Sequence, residues 1–392
     1  MPRPPTPRAK TPRPVPEIRI TEVEPIVLRA EIPEPVQTSF GTMDHRWSVL
    51  VRIGTDAGVE GWGESWCNFP SWAPFERVHT VRGLAPLVVG HDPRDVAHLH
   101  GRLREATRVL ERQWGAPGPV SQAIAAIDVA LWDVLGKLTG QSIVRLLGGR
   151  EGMEVPVYGS GLGPGDPAPL VERLRAAGVQ AYKLKVGFGT ERDARNLARM
   201  RELIGDDAVL WADANQAWSP SAARAALPML EDHGVELLEE PLAAGDYDGL
   251  ARLRDVSRIP LAAGENAFGR EDFVTMLEAG CIDVVQPDVA KCGGLTDARF
   301  ACQLAAAHGL PFAPHYLGGA VGLIASLHLF ASSPGGTLME LDANPNPLRE
   351  EIAGDLVRPV DGRLRVPSDP GLGFTPSPDV LERYRVPAGG SA

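Results

Sequence analysis

Seven charged residues, Lys185, Asp213, Glu239, Glu265, Asp288, His315 and Glu340, follow one another at intervals of roughly 25 residues, the spacing at which strands recur in a (β/α)-barrel. Each closes or directly follows a short apolar run: AYKLK, AVLWAD, VELLEE, LAAGE, DVVQPD, LPFAPH and TLME. Few folds accommodate that rhythm. A parallel barrel does, because it places its chemistry at the C-terminal ends of successive buried strands. The spacing therefore predicts a base, three metal-binding carboxylates, an Asp–His pair and a further carboxylate gathered at one mouth.

The flanking pattern agrees. From Val155 to about Asp342, eight strand-like runs alternate with segments such as ERDARNLARMREL and SAARAALPMLEDHG, which implies an α/β fold with a parallel sheet. Eight strands favour a closed barrel, and no G-x-G-x-x-G follows the first strand, which weakens a dinucleotide-binding alternative. Upstream, ITEVEPIVLRAEI, WSVLVRIGT and VEGWGES read as an antiparallel meander turning at Asp56-Ala57-Gly58. A helical stretch follows to Leu147, with Ile124, Ile127, Leu131, Val134 and Leu135 at three- and four-residue steps and Gly140 as its stop. The expected division is a Pro/Arg-rich tail over 1–17, an α+β domain over 18–150, a barrel over 151–356 and a segment over 357–392 that folds back on the first domain.

Composition narrows the partners. Net charge is −11 with no dense basic patch outside the N-terminus, which argues against nucleic acid or an anionic membrane as the main partner. A negative protein that binds an acidic substrate needs local positive charge, which a metal ion supplies. Cys67, Cys281, Cys292 and Cys302 show no C-x-x-C spacing and read as reduced thiols, which suits a cytoplasmic protein. No apolar run approaches the roughly 20 residues needed to span a bilayer. The N-terminal MPRPPTPRAKTPRPVPE lacks an apolar h-region and reads as a disordered, polyproline-like tail rather than a secretory signal.

The chemistry follows from position. Asp213, Glu239 and Glu265 end consecutive strands, and three carboxylates at one point repel unless a cation sits between them. All-oxygen ligation selects a hard divalent ion such as Mg²⁺. Lys183 and Lys185 alternate onto one strand face, where like-charge repulsion is expected to lower the pKa of the inner one towards that of a general base. Asp288 and His315 stand across the mouth, and a carboxylate on one imidazole nitrogen fixes the tautomer. Glu340 reads either as a protonated hydrogen-bond donor to an oxyanion or as a rim salt bridge. A metal between two opposed bases suits removal of a proton α to a carboxylate, with the metal stabilising the enediolate.

These motifs resemble the enolase superfamily, specifically its mandelate racemase subgroup. KLK, DANQAW, EEP and GEN are similar to its base and metal motifs, QPDVAKCGG to its sixth-strand motif, and DGRLRVPSDPGLGF to its C-terminal segment. AIDVALWDVLGKLTGQSIVRLLGG is similar to the stretch joining capping domain to barrel. The resemblance implies a modified (β/α)7β barrel with an N-terminal capping domain, one Mg²⁺ held by Asp213, Glu239 and Glu265, and a homo-oligomer. It also implies Lys185 as the base on one face, Lys183 assisting it and binding the substrate carboxylate, and His315 paired to Asp288 as acid or base on the other face. Glu340 would hydrogen-bond the substrate carboxylate. The Asp288–His315 pair sets the chain apart from muconate-lactonising and dipeptide-epimerase relatives, which rely on a sixth-strand lysine.

Three activities remain open on the residues: dehydration of an acid sugar, with His315 protonating the departing β-hydroxyl; racemisation or epimerisation of an α-hydroxy acid between Lys185 and His315; and a binding or regulatory barrel without turnover. The complete set of residues counts against the last. Dehydration is preferred because sugar-acid dehydratases are common in the subgroup. The small carboxylic acid substrate is expected under two capping loops, VQTSFGTMDHR, offering Phe40, His45 and Arg46, and ESWCNFPSWAPF, offering Trp66, Asn68 and Trp72.

Overall fold

Strand register explains why the charged rhythm becomes a site. The computed structural model describes residues 17–387, so the tail expected over 1–17 lies almost wholly outside the described residues. The parallel strands β4 (Glu154–Leu162), β5 (Ala181–Lys185), β6 (Val209–Asp213), β7 (Leu237–Glu239), β8 (Leu261–Ala263), β9 (Val284–Val285) and β10 (Met339–Asp342) form one sheet, in which β10 pairs with β4. One helix separates each successive pair of staves, from Ala168–Ala176 after β4 to Ala320–Ser332 before β10. Lys185 lies beside Asp213, and Asp213 beside Glu239, in the ladder.

The seventh stave differs from the expected strand. It is reduced to single bridges from Phe312 to Val285 and to Gly336, which close the ring. The cause is in LPFAPH: Pro311 and Pro314 carry no N–H, so a ladder cannot extend on either side of Phe312. The result is a modified (β/α)7β barrel of the α/β class. Inside it, Tyr158, Ala181, Trp211, Leu237, Ala262 and Ala313 form an apolar layer. Trp211 and Leu237 precede Asp213 and Glu239 by one strand period, so this layer floors the mouth.

The capping domain packs β1 (Ile20–Gln37), β2 (Thr42–Thr55) and β3 (Glu60–Ser65) against helices α1 (Ala73–Leu84), α2 (Val96–Trp114) and α3 (Pro117–Thr139). Gly140 ends α3 at φ 65°, the left-handed conformation that glycine adopts without steric penalty. By length and composition α3 is the one described helix able to cross a membrane, but 83% of that window is buried inside the protein. It seats directly on β3. A Cβ at Gly63 would stand 1.8 Å from the Ala126 carbonyl oxygen, so only glycine permits the approach.

The C-terminal segment first stays with the barrel, where β11 (Arg363–Arg365) pairs antiparallel with β4. Leu372 N–H then donates to Asp133 of α3 at 2.8 Å. Finally β12 (Arg385–Val386) joins the edge of the capping sheet beside β1.

Candidate active site

Asp213, Glu239 and Glu265 are buried, and one carboxylate oxygen from each lies within 4.8 Å of the others. The chain turns sharply after the first two: Asn215 and Gln216 take φ 43° and 64°, and Glu240 takes 38°. Such positive values in non-glycine residues cost energy and gather at functional sites. Around the three acids, Asn215 Oδ1 and Gln286 Oε1 are buried without a hydrogen-bond partner among the described residues. Three acids and two orphaned amide oxygens make an all-oxygen donor set that fits a hard divalent cation. Burial raises Glu239 to about 7, and the neighbouring carboxylates add to the rise against the Lys183 charge. A cation would relieve that repulsion.

Two basic arms flank this cluster. On β5, Lys185 Nζ contacts Asp213, and Lys183 Nζ donates to Glu239 at 2.7 Å and lies 2.8 Å from Glu340. On the far side, His315 Nδ1 lies 2.7 Å from Asp288 Oδ2, and Nε2 lies 2.8 Å from Glu265 Oε2. The strands carrying the three acids therefore separate the lysine arm from the histidine arm. Burial alone would lower the His315 pKa, but the charges of Glu265 and Glu340 and the Asp288 bond outweigh it and hold the ring well above its ordinary value.

Matches to known families agree with this geometry. Residues 22–148 match the mandelate racemase / muconate lactonizing enzyme N-terminal domain, and residues 168–380 match the enolase C-terminal domain-like family. The chain belongs to the mandelate racemase subgroup of the enolase superfamily. It is 34% identical to a D-galactarolactone cycloisomerase from Agrobacterium fabrum, over 94% of this chain and 100% of that one. It is 30% identical to an arabinonate dehydratase from Saccharolobus solfataricus, over 88% of this chain and 92% of that one. Among solved structures, an enolase from Bradyrhizobium complexed with magnesium and mandelic acid superposes with a TM-score of 0.82 at 29% identity, covering 94% of this chain and 99% of that one.

Within this superfamily frame, three expectations from the sequence need correction. Neither lysine is depressed. Burial would lower both, yet Asp213 raises Lys185, and Glu239 and Glu340 hold Lys183 well above the usual range. Repulsion between the lysines is outweighed by the carboxylates around them, Asp213 at Lys185 and Glu239 and Glu340 at Lys183. Glu340 is also not a protonated donor. Burial raises it, but Lys183 and His315 bring it down to about 2, and it accepts from Ser160 Oγ and, at 2.9 Å, from the Tyr316 N–H. Arg46, read as a substrate contact, instead points its guanidinium at Asp342 Oδ2, 2.6 Å away, in a fully buried pair.

The other cap residues divide. Phe40 is 61% exposed and packs edge-on against Phe69. His45 faces Arg29 and Glu31, and Trp72 is exposed. Trp66 lies over Lys291 Nζ at 4.8 Å, and Asn68 Nδ2 donates to Leu317 O at 2.7 Å, so both reach the barrel. Beyond the last barrel strand, Asn346 Nδ2 donates to Gly318 O at 2.9 Å. The four cysteines are free and buried, and burial pushes Cys67 up to about 12, which leaves it an inert thiol.

Sequence reasoning missed several buried polar residues around the acids. Gln286 Nε2 donates to Glu239 at 2.5 Å, and Ser160 reaches Glu340. Lys291 Nζ lies 3.2 Å from Glu265 and 2.9 Å from Asn266 Oδ1. Lys291 stands within the same QPDVAKCGG run as Asp288, which is the only signal in the sequence that marks it.

Proposed function

We propose that this enzyme is a Mg²⁺-dependent acid-sugar dehydratase, removing the proton α to a carboxylate and expelling the β-hydroxyl as water to leave a 2-keto-3-deoxy acid. The observation that carries this reading is the pair of basic arms set on opposite flanks of three clustered acids. Asp213, Glu239 and Glu265 would hold the cation, whose charge there offsets that of Asp213 and of the substrate carboxylate as the proton leaves. Lys185 is the group placed to take the α-proton, which requires its neutral amine and therefore relief of the Asp213 charge that raises its pKa. Lys183, pinned between Glu239 and Glu340, remains an ammonium and presents fixed positive charge to the substrate carboxylate. His315, held as an imidazolium by its carboxylate neighbours, delivers a proton to the departing oxygen. Loss of the β-hydroxyl gives an enol, which becomes the 2-keto acid by taking a proton at the carbon that lost its oxygen. The buried thiols suit a reducing, cytoplasmic setting.

A second reading is cycloisomerisation, favoured by the likeness to a D-galactarolactone cycloisomerase. The same elimination applied to a ring oxygen keeps the leaving group attached, so the product is an isomer. A panel of open-chain aldonates and aldarates, their lactones and simple α-hydroxy acids, each supplied with Mg²⁺, tests both readings. Keto product with loss of water from an open-chain acid supports dehydration, and keto product of unchanged mass from a lactone supports cycloisomerisation. Loss of optical activity without keto product would overturn both in favour of racemisation.

A further inference from the structure

We infer that the capping segment Trp66–Asn68 positions the Asp288–His315 pair, acting as a clasp on the two turns that carry it. The Trp66 backbone N–H donates to Ala290 O at 3.2 Å, and its ring covers Lys291 Nζ. Asn68 Nδ2 donates to Leu317 O at 2.7 Å. Ala290 and Leu317 each stand shortly after one member of the pair. The first turn is a closed unit: Ala290 N–H donates to Asp288 Oδ1 at 2.7 Å, and the N–H groups of Lys291 and Cys292 donate to Asp288 O at 3.0 and 2.9 Å. A pull on Ala290 is therefore passed to the Asp288 carboxylate. Lys291 carries the same contact on to Glu265, which faces His315 Nε2.

The other capping loop, VQTSFGTMDHR, acts elsewhere. Ser39 Oγ contacts Ala214 O and Asn215 O at 3.3 and 3.2 Å, immediately after Asp213, the partner of Lys185. Each loop thus grips one arm of the site. Loss of the Trp66–Asn68 contacts should loosen the histidine arm and leave the lysine arm as it was. Trp66 and Asn68 act here as positioning residues, through the turns they hold.

The test compares wild type with Asn68→Ala and Trp66→Leu by amide hydrogen exchange and by kinetics. Exchange should quicken in the turns over 288–292 and 315–319 and stay unchanged in Ala181–Lys185. The kinetic arm rests on the dehydratase reading. Asn68→Ala should lower elimination about tenfold while leaving α-proton exchange and KM within about twofold, and should cost nothing further in a His315→Asn background. Unchanged exchange at both turns, or faster exchange across the whole barrel, overturns the clasp. So does an equal kinetic loss in both backgrounds. If Asn68→Ala does not fold, Asn68→Ser and Trp66→Leu carry the same readings. A wild-type protein that turns over no acid sugar would defeat the dehydratase reading, and the amide exchange would still decide the clasp.

Discussion

Two histidines of one barrel repeat, both buried, have opposite chemistry. His315 sits among Asp288, Glu265 and Glu340, and its pKa is held well above the ordinary value. His328 lies within the helix Ala320–Ser332, where burial lowers it to about 4 with one backbone bond opposing. Its Nδ1 accepts from the Val144 N–H and its Nε2–H donates to Leu372 O, each at 3.2 Å, which requires the neutral ring. Burial is common to both. Neighbouring carboxylate charge keeps one ring protonated, and its lack leaves the other a neutral structural spacer.

The largest test of that contrast removes the shared carboxylate. Glu265→Ala should abolish Mg²⁺-dependent turnover and flatten a calorimetric Mg²⁺ titration, since Glu265 serves both the acid cluster and His315; full activity would break the metal assignment. Next, His315→Asn should slow elimination on the order of a thousandfold while α-proton exchange through Lys185 continues. Unimpaired elimination in that variant would contradict the role given to His315.

The smallest effect falls on stability. His328 has a folded pKa of about 4 against an ordinary 6.5, so its contribution is complete above 6.5 and is lost as pH falls through 4. Across that window it is worth at most roughly 3 kcal/mol. Thermal unfolding from pH 7 to 4 should therefore steepen in wild type relative to His328→Gln. Parallel curves would show that the ring is not held neutral.

Much of the site was legible because strand ends announce themselves: a charged residue terminating an apolar run has few places to go but the barrel mouth. Asp213, Glu239, Glu265, Lys185, Asp288 and His315 were all readable on that ground, and the structure gathers them. Ionisation was not readable. The states of Lys183 and Glu340 depend on each other, and they lie on strands far apart in the chain. The Arg46 pairing is hidden in the sequence for the same reason, since its partner Asp342 comes from the last barrel strand. The thinning of the seventh stave was foreshadowed by Pro311 and Pro314, whose missing N–H groups weigh more than the apolar run around them.

The most direct measurement is product analysis in D₂O with Mg²⁺ and a panel of acid sugars. The expected result is a 2-keto product carrying solvent deuterium at the carbon that lost its oxygen, formed by wild type and strongly suppressed in His315→Asn. Absence of both α-proton exchange and keto product across aldonates, aldarates and their lactones would contradict it.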